Sequence, residues 1–159
     1  RELALKEVAF RVEKKVENEI VSIDKGVRHE KFLACISSNE KTPRHIIRKA
    51  ARLASRYNTV FSALYVQTPV ESTERINLAS QRHLLNHFKL VTELGGEVLQ
   101  VASANVLDEI IKTCQEKQIT TICMGQPAFK MPSTLFSISK YKKFLASLAQ
   151  MNIDLIILA

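Results

Sequence analysis

Two hydrophobic rhythms alternate along this chain. In the first thirty residues Leu3, Leu5, Val8, Val12, Val16 and Ile20 recur at three- and four-residue steps between Lys, Glu and Arg. That pattern predicts a charged amphipathic helix followed by a loop over residues 1–30, a linker helix or a helix docked on a neighbour. From Phe32 the rhythm changes. The run at 32–36 is short, β-rich and bounded by polar turn residues, as a buried strand is. Thr42-Pro43 then opens a helix, with Thr42 expected as its N-cap and Pro43 in the first position. Ile46, Ile47, Ala50, Leu53 and Ala54 make its inner face. Further strands are predicted at Thr59–Gln67, Glu97–Val101, Ile119–Met124 and Ile153–Leu158. Helices are predicted between them, from about Ser72 to Leu94 with Gly95-Gly96 as a stop, from Val106 to Lys117 and from Tyr141 to Ala149.

Five strands alternating with helices argue for an α/β fold. Its layers are helix, parallel sheet and helix, joined by right-handed crossovers. Such sheets bind ligands beyond the carboxyl ends of their strands, where the strand order reverses. The first and fourth strands are the expected neighbours of that reversal. Two places therefore stand out: the polar corner Ser37-Ser38-Asn39, and the loop after Gly125.

Composition adds limits to this picture. The 159 residues, 46% of them hydrophobic, suffice for one well-buried domain, here 31–159 after the linker helix. A net charge of +7 and a pI near 9.5 suit anionic partners without naming one. Cys35, Cys114 and Cys123 are odd in number and show no C-x-x-C spacing, so they read as small buried hydrophobes. No apolar run reaches the roughly 18 residues of a membrane span, and no signal peptide is visible. The chain starts at Arg1 without Met and is expected to be a segment of something longer, with membrane attachment elsewhere left open.

At the second place the sequence runs Gly125-Gln126-Pro127-Ala128-Phe129-Lys130 and on to Ser137-Ile138-Ser139-Lys140. A glycine ending a strand lets a ligand approach the backbone. Lys130 supplies charge, and Ser137 or Ser139 is placed to cap the next helix, whose amide groups favour a phosphate. An ordinary capped helix after a Pro-containing loop explains the same residues. In the helix after the corner, Arg44, His45, Arg48, Lys49, Arg52 and Arg56 read mostly as a solvated face. Arg44 and His45, in the first turn, lie next to the corner. His45 reads first as a polar surface residue and only second as part of the site. The pair His83/His87 has no acidic or Cys companion, so no metal site is expected.

These residues carry a family resemblance. The chain resembles the universal stress proteins, whose ATP-binding members show G-x-x-G, nine residues, then G-[S/T] after the fourth strand. Gly125 matches the first Gly and Ser139 the final hydroxyl, while Ala128 and Ile138 replace two glycines. Ser37 stands where those members carry an Asp. Over nearly its whole length the chain also resembles the KdpD family of potassium-responsive sensor histidine kinases. The matching stretches are Arg1-Glu-Leu-Ala-Leu5, Cys35-Ile-Ser-Ser38, Ala50-Ala-Arg-Leu-Ala-Ser-Arg56 and Ala63-Leu-Tyr-Val-Gln-Thr-Pro69.

The resemblance implies a five-stranded sheet of order 3-2-1-4-5 and a cytoplasmic ligand-binding domain of a membrane-anchored kinase. Its partners would be the remaining kinase domains, with no nucleic acid and no membrane insertion of this segment. Several members bind cyclic di-AMP through S-x-S, twenty residues, then F-T-A-x-Y. Phe61-Ser-Ala63-Leu-Tyr65 is similar to the second half, and the first half falls on Ser38-Asn39-Glu40 without its second Ser.

For such a ligand Tyr65, near the end of its strand, is the expected purine platform. Phe61 and Ala63 share its face, which suits core better for Phe61. Ser38, Asn39 and Gln126 would hydrogen-bond base edges or ribose without adding negative charge, and Ser in place of Asp at position 37 suits an anionic ligand close to the corner. ATP is the alternative ligand, and an interaction domain with a vestigial pocket the alternative role. No Ser-His-Asp arrangement, paired carboxylate or P-loop stands out, so binding without chemistry is expected of this segment.

Overall fold

The computed structural model describes residues 29–72, 75–127 and 134–159. The expected linker helix therefore lies, up to residue 28, outside the described residues, as do Ala128 and Lys130. Strand β1 (Phe32–Ile36) is followed by α1 (Thr42–Arg56), β2 (Phe61–Gln67) and a 3₁₀ turn at Pro69–Glu71. Then come α2 (Leu78–Glu93), β3 (Glu97–Ala102), α3 (Val106–Lys117), β4 (Thr121–Gly125), α4 (Thr134–Gln150) and β5 (Asp154–Leu158). All pairings are parallel and the order is β3-β2-β1-β4-β5, as the alternation and the resemblance predict.

The period of two along β1 and β2 divides the core into halves. Phe32, Ala34 and Ile36 face the same way as Phe61, Ala63 and Tyr65, and α1 and α2 close over them with Ile46, Ile47, Ala50, Leu84 and Val91. Leu33, Leu64, Val66 and Ile122 face the other way, against Ile110 and Cys114 of α3 and Phe144 and Leu148 of α4. The inner stripe predicted for α1 is observed, with Leu53 only half-buried.

Several element bounds move, each for a local reason. Thr42 is the first residue of α1 rather than its cap. Lys41 occupies the cap position without a side-chain bond, since an ammonium group has no acceptor for the helix amides, and the methyl of Thr42 lies toward Gly125. Helix α2 begins at Leu78, six residues later than expected. The 3₁₀ turn takes up Pro69–Glu71, and Asn77 sits in extended backbone with its side chain accepting from the Ser80 amide. Helix α4 begins at Thr134, which places Ser137 and Ser139 within the helix and not at its cap.

Helix ends are closed by left-handed residues: Gly95 after α2, and Asn58, Gln118 and Asn152 after α1, α3 and α4. At Gly96 a side chain has no room. An added Cβ would stand 2.5 Å from the ring of Phe61.

Candidate functional site

Because β1 and β4 lie side by side while the chain winds outward from each, the crevice beyond their carboxyl ends is the topological switch point. Three segments meet there. The corner Ser37–Asn39 leaves β1, the first turn of α1 follows it, and Gly125 ends β4. Gly125 belongs to this meeting for a packing reason, since a Cβ there would lie 3.0 Å from Cγ2 of Thr42. Arg44 and His45 are exposed on the first turn of α1; after β4, Gln126 is exposed and Pro127 half-buried. Helix α1 has no side-chain cap and no acid in its first turn, so its leading amide groups, Pro43 aside, and the charge of Arg44 make this end of the helix positive.

The opposite side of the crevice is acidic, which the sequence did not announce. Glu71, at the end of the 3₁₀ turn, accepts from Ser38 Oγ at 2.8 Å and from Tyr65 Oη at 2.7 Å. Gln67 Nε2 donates to the Glu71 carbonyl at 3.2 Å and pins the turn. Thus the corner is not free of carboxylate. The acid comes from the β2–α2 connection instead of the end of β1. Together Ser37, Tyr65, Thr68 and Glu71 help to line a cavity of about 160 Å³ reaching down to Val106 and Ile110. Burial and the Glu71 carboxylate both push the Tyr65 hydroxyl well above its ordinary range, so it remains a donor at all physiological pH.

For β2 the core reading wins at three positions, as expected for Phe61 and against the site reading of Tyr65 and Ala63. Tyr65 is 2% exposed, with its ring against Phe88 at 6.1 Å, so it offers no open face for a purine. Phe61 lies at the amino end of β2, paired with Phe32, away from the corner and inside the core. Ala63 is fully buried between them. The physical reason is common to all three: β2 is a central strand covered on both faces, so alternation leaves no free side. Among the expected site residues the structure gathers Ser37, Ser38, Asn39, Arg44, His45, Gly125, Gln126 and Pro127. It leaves Ser137 and Ser139 in α4, half-buried and exposed respectively.

His87 was also missed. Its Nε2–H donates to the Asn39 carbonyl at 2.6 Å and ties α2 to the corner. That bond fixes the tautomer, leaving buried Nδ1 with a lone pair and no partner among the described residues. Its place between Leu84 and Val91, on the inward stripe of α2, was the available signal. Burial holds its pKa below the ordinary 6.5, with the charges of Arg44 and His83 adding to the effect against the Asn39 bond. An unfolded chain then binds a proton that the folded one refuses. Stability is complete above about pH 6.5 and is lost as pH falls below it, toward the lowered folded value. Urea unfolding from pH 7.5 to 5 should show this slope, and His87→Gln should flatten it by close to one proton. An unchanged slope in the variant would assign the titration elsewhere.

The thiols are unsuited to attack: burial pushes Cys114 up to about 12 and Cys123 to about 11, and Cys35 higher still. Among the described residues no cluster of His, Cys, Asp or Glu has the makings of a metal site. No helix among them is long and apolar enough to cross a membrane.

No family model matches the chain. It is 37% identical over 131 residues to the sensor protein KdpD of Clostridium acetobutylicum, covering 79% of this chain and 14% of that protein. It is 31% identical over 131 residues to the sensor protein KdpD of Escherichia coli strain K12, covering 80% and 14%. The chain thus spans about one seventh of the length of these relatives. Its fold is that of the universal stress proteins. A universal stress protein in complex with cAMP superposes with a TM-score of 0.55 at 13% identity, covering 82% of this chain and 96% of the other. One from Archaeoglobus fulgidus in complex with dAMP gives 0.54 at 11% identity, covering 83% and 98%.

Proposed function

The chain is a segment related to the KdpD sensor proteins and folded as a universal stress protein, and on that premise we propose that it is a regulatory ligand-binding domain. Its ligand is cyclic di-AMP, and its parent is a cytoplasm-facing sensor histidine kinase controlling potassium uptake. The observation that carries the reading is the two-sided crevice. Amide groups and Arg44 at the start of α1 suit phosphates, while Ser38 and Glu71, the latter held from behind by the buried Tyr65 hydroxyl, offer a hydroxyl and a carboxylate suited to ribose and base edges. Universal stress proteins of this fold in complex with cAMP and dAMP support a nucleotide as the class of ligand. Ala128 and Ile138, in place of two glycines, argue against a triphosphate bound through the loop after β4.

The domain binds and does no chemistry. Ligand binding shifts the population of two states of the corner, and the rest of the kinase reads the shift. Calorimetry with cyclic di-AMP, ATP and AMP tests this. Cyclic di-AMP is expected to bind at micromolar or tighter dissociation constants, with ATP weaker. Tighter ATP would turn the reading toward a mononucleotide sensor. No heat from any of the three would leave an interaction domain with a vestigial pocket.

A further inference from the structure

Helix α1 carries Arg44, Arg48, Lys49, Arg52 and Arg56 and no Asp or Glu in its fifteen residues, in a chain whose whole net charge is +7. A face that is only solvated mixes both signs, as α3 does with Asp108, Glu109 and Glu116 beside Lys112 and Lys117. On α1 the four arginines stand at four-residue steps, so they are successive neighbours on one ridge of the helix. All four are exposed. Like charges at that spacing destabilise a helix, and Arg44 adds a cation at the end where the helix dipole disfavours one. Ion pairs join Lys89 to Glu93 and Lys117 to Glu97, but none of the five charges of α1 has a carboxylate partner among the described residues. The ridge therefore lowers the stability of the folded chain, and no contact inside the described domain offsets it.

We propose that this ridge is the docking surface for an acidic helix of a partner, one that carries carboxylates at the same four-residue step. A guanidinium group meets a carboxylate through two parallel N–H bonds, a match that Lys lacks. Ridges of this step on two helices interleave at a crossing of about 50°, the commonest way for helices to pack. A flat anionic surface fits less well. Successive arginines turn by about 40° around the axis, so the four fan across about 120° and do not meet one plane. Half-buried Leu53 and exposed Tyr57, at the carboxyl end of the helix, extend the surface with apolar area. Arg48, Arg52 and Arg56 lie beyond the first turn of α1, outside the crevice, so the ridge works whatever ligand the crevice takes.

The probe is an alanine-based helical peptide with four glutamates at four-residue spacing, added to the whole chain in an amide-resolved NMR titration at an ionic strength of about 0.05 M. The signals of Arg48, Arg52 and Arg56 are expected to move. Arg48→Gln combined with Arg52→Gln keeps helix propensity and should weaken binding about fivefold. The same double variant removes every like-charge neighbour pair of the ridge, so its urea midpoint should rise above that of the parent. A peptide of equal composition, with its glutamates spread around the helix, should bind about threefold more weakly than the first. Equal binding of the two peptides would reduce the ridge to general charge attraction and overturn the proposal. Tighter binding of a DNA duplex or of phosphatidylserine vesicles would do the same, in favour of that surface. So would an absence of shifts along α1, or a urea midpoint in the double variant that stays or falls.

Discussion

Phe61→Ala is expected to lower the free energy of unfolding by about 3–5 kcal/mol, the cost of emptying a buried aromatic site. The ring is 2% exposed, and it fills the space that Gly96 leaves open. Chain collapse around the gap is opposed by β1 on one side, where Phe32 is the partner of Phe61, and by the buried Val91 of α2 in the same core. In a domain of this size the midpoint of thermal unfolding should fall by about 10 °C or more. Denaturant titration gives the energy directly. This result bears on function, because Phe61 begins the F-x-A-x-Y stretch that resembles a ligand motif. A core role predicts lost stability, and any loss of ligand follows from unfolding. A binding role predicts unchanged stability and lost affinity. Measured together on one variant, the two quantities decide between these roles.

The same position shows what the sequence made legible and what it hid. Periods of 2 and 3.6 residues located every strand and helix from Phe32 onward, because burial on a sheet or helix face is a local constraint written into spacing. The stripe of α1 and the run of β1 were readable for that reason. The site was less so. Alternation put Tyr65 on the face of Phe61 and Ala63 but could not say that α2 covers that face. Glu and Arg between 71 and 75 favour helix, and so masked a 3₁₀ turn whose last residue swings a carboxylate back to Tyr65 and Ser38. Contacts made across 33 residues, as between Ser38 and Glu71, leave no periodic trace. An acid missing from the end of β1 was visible in the sequence; its replacement from another connection was not.

That replacement supports the second large effect. Glu71→Ala is expected to cost about 2–3 kcal/mol, more than a half-buried glutamate ordinarily contributes. Two hydroxyls donate to its carboxylate, and bonds to a charged acceptor contribute about 1.5–3 kcal/mol each before the loss is softened by water reaching Ser38. The Tyr65 hydroxyl has no such relief, since its residue is 2% exposed, and a buried donor without a partner carries the desolvation penalty in full. Tyr65→Phe removes that donor. Glu71→Ala made in the Tyr65→Phe background should therefore cost at least 1 kcal/mol less than in the parent, and this difference is the coupling between the two groups. Urea denaturation of the four proteins measures it. Additive costs would mean that the carboxylate acts through the turn at Pro69–Glu71 alone. Coupling of the expected size would show that the Tyr65 hydroxyl and the Glu71 carboxylate hold one another in place, and with them the wall of the cavity beside Ser37.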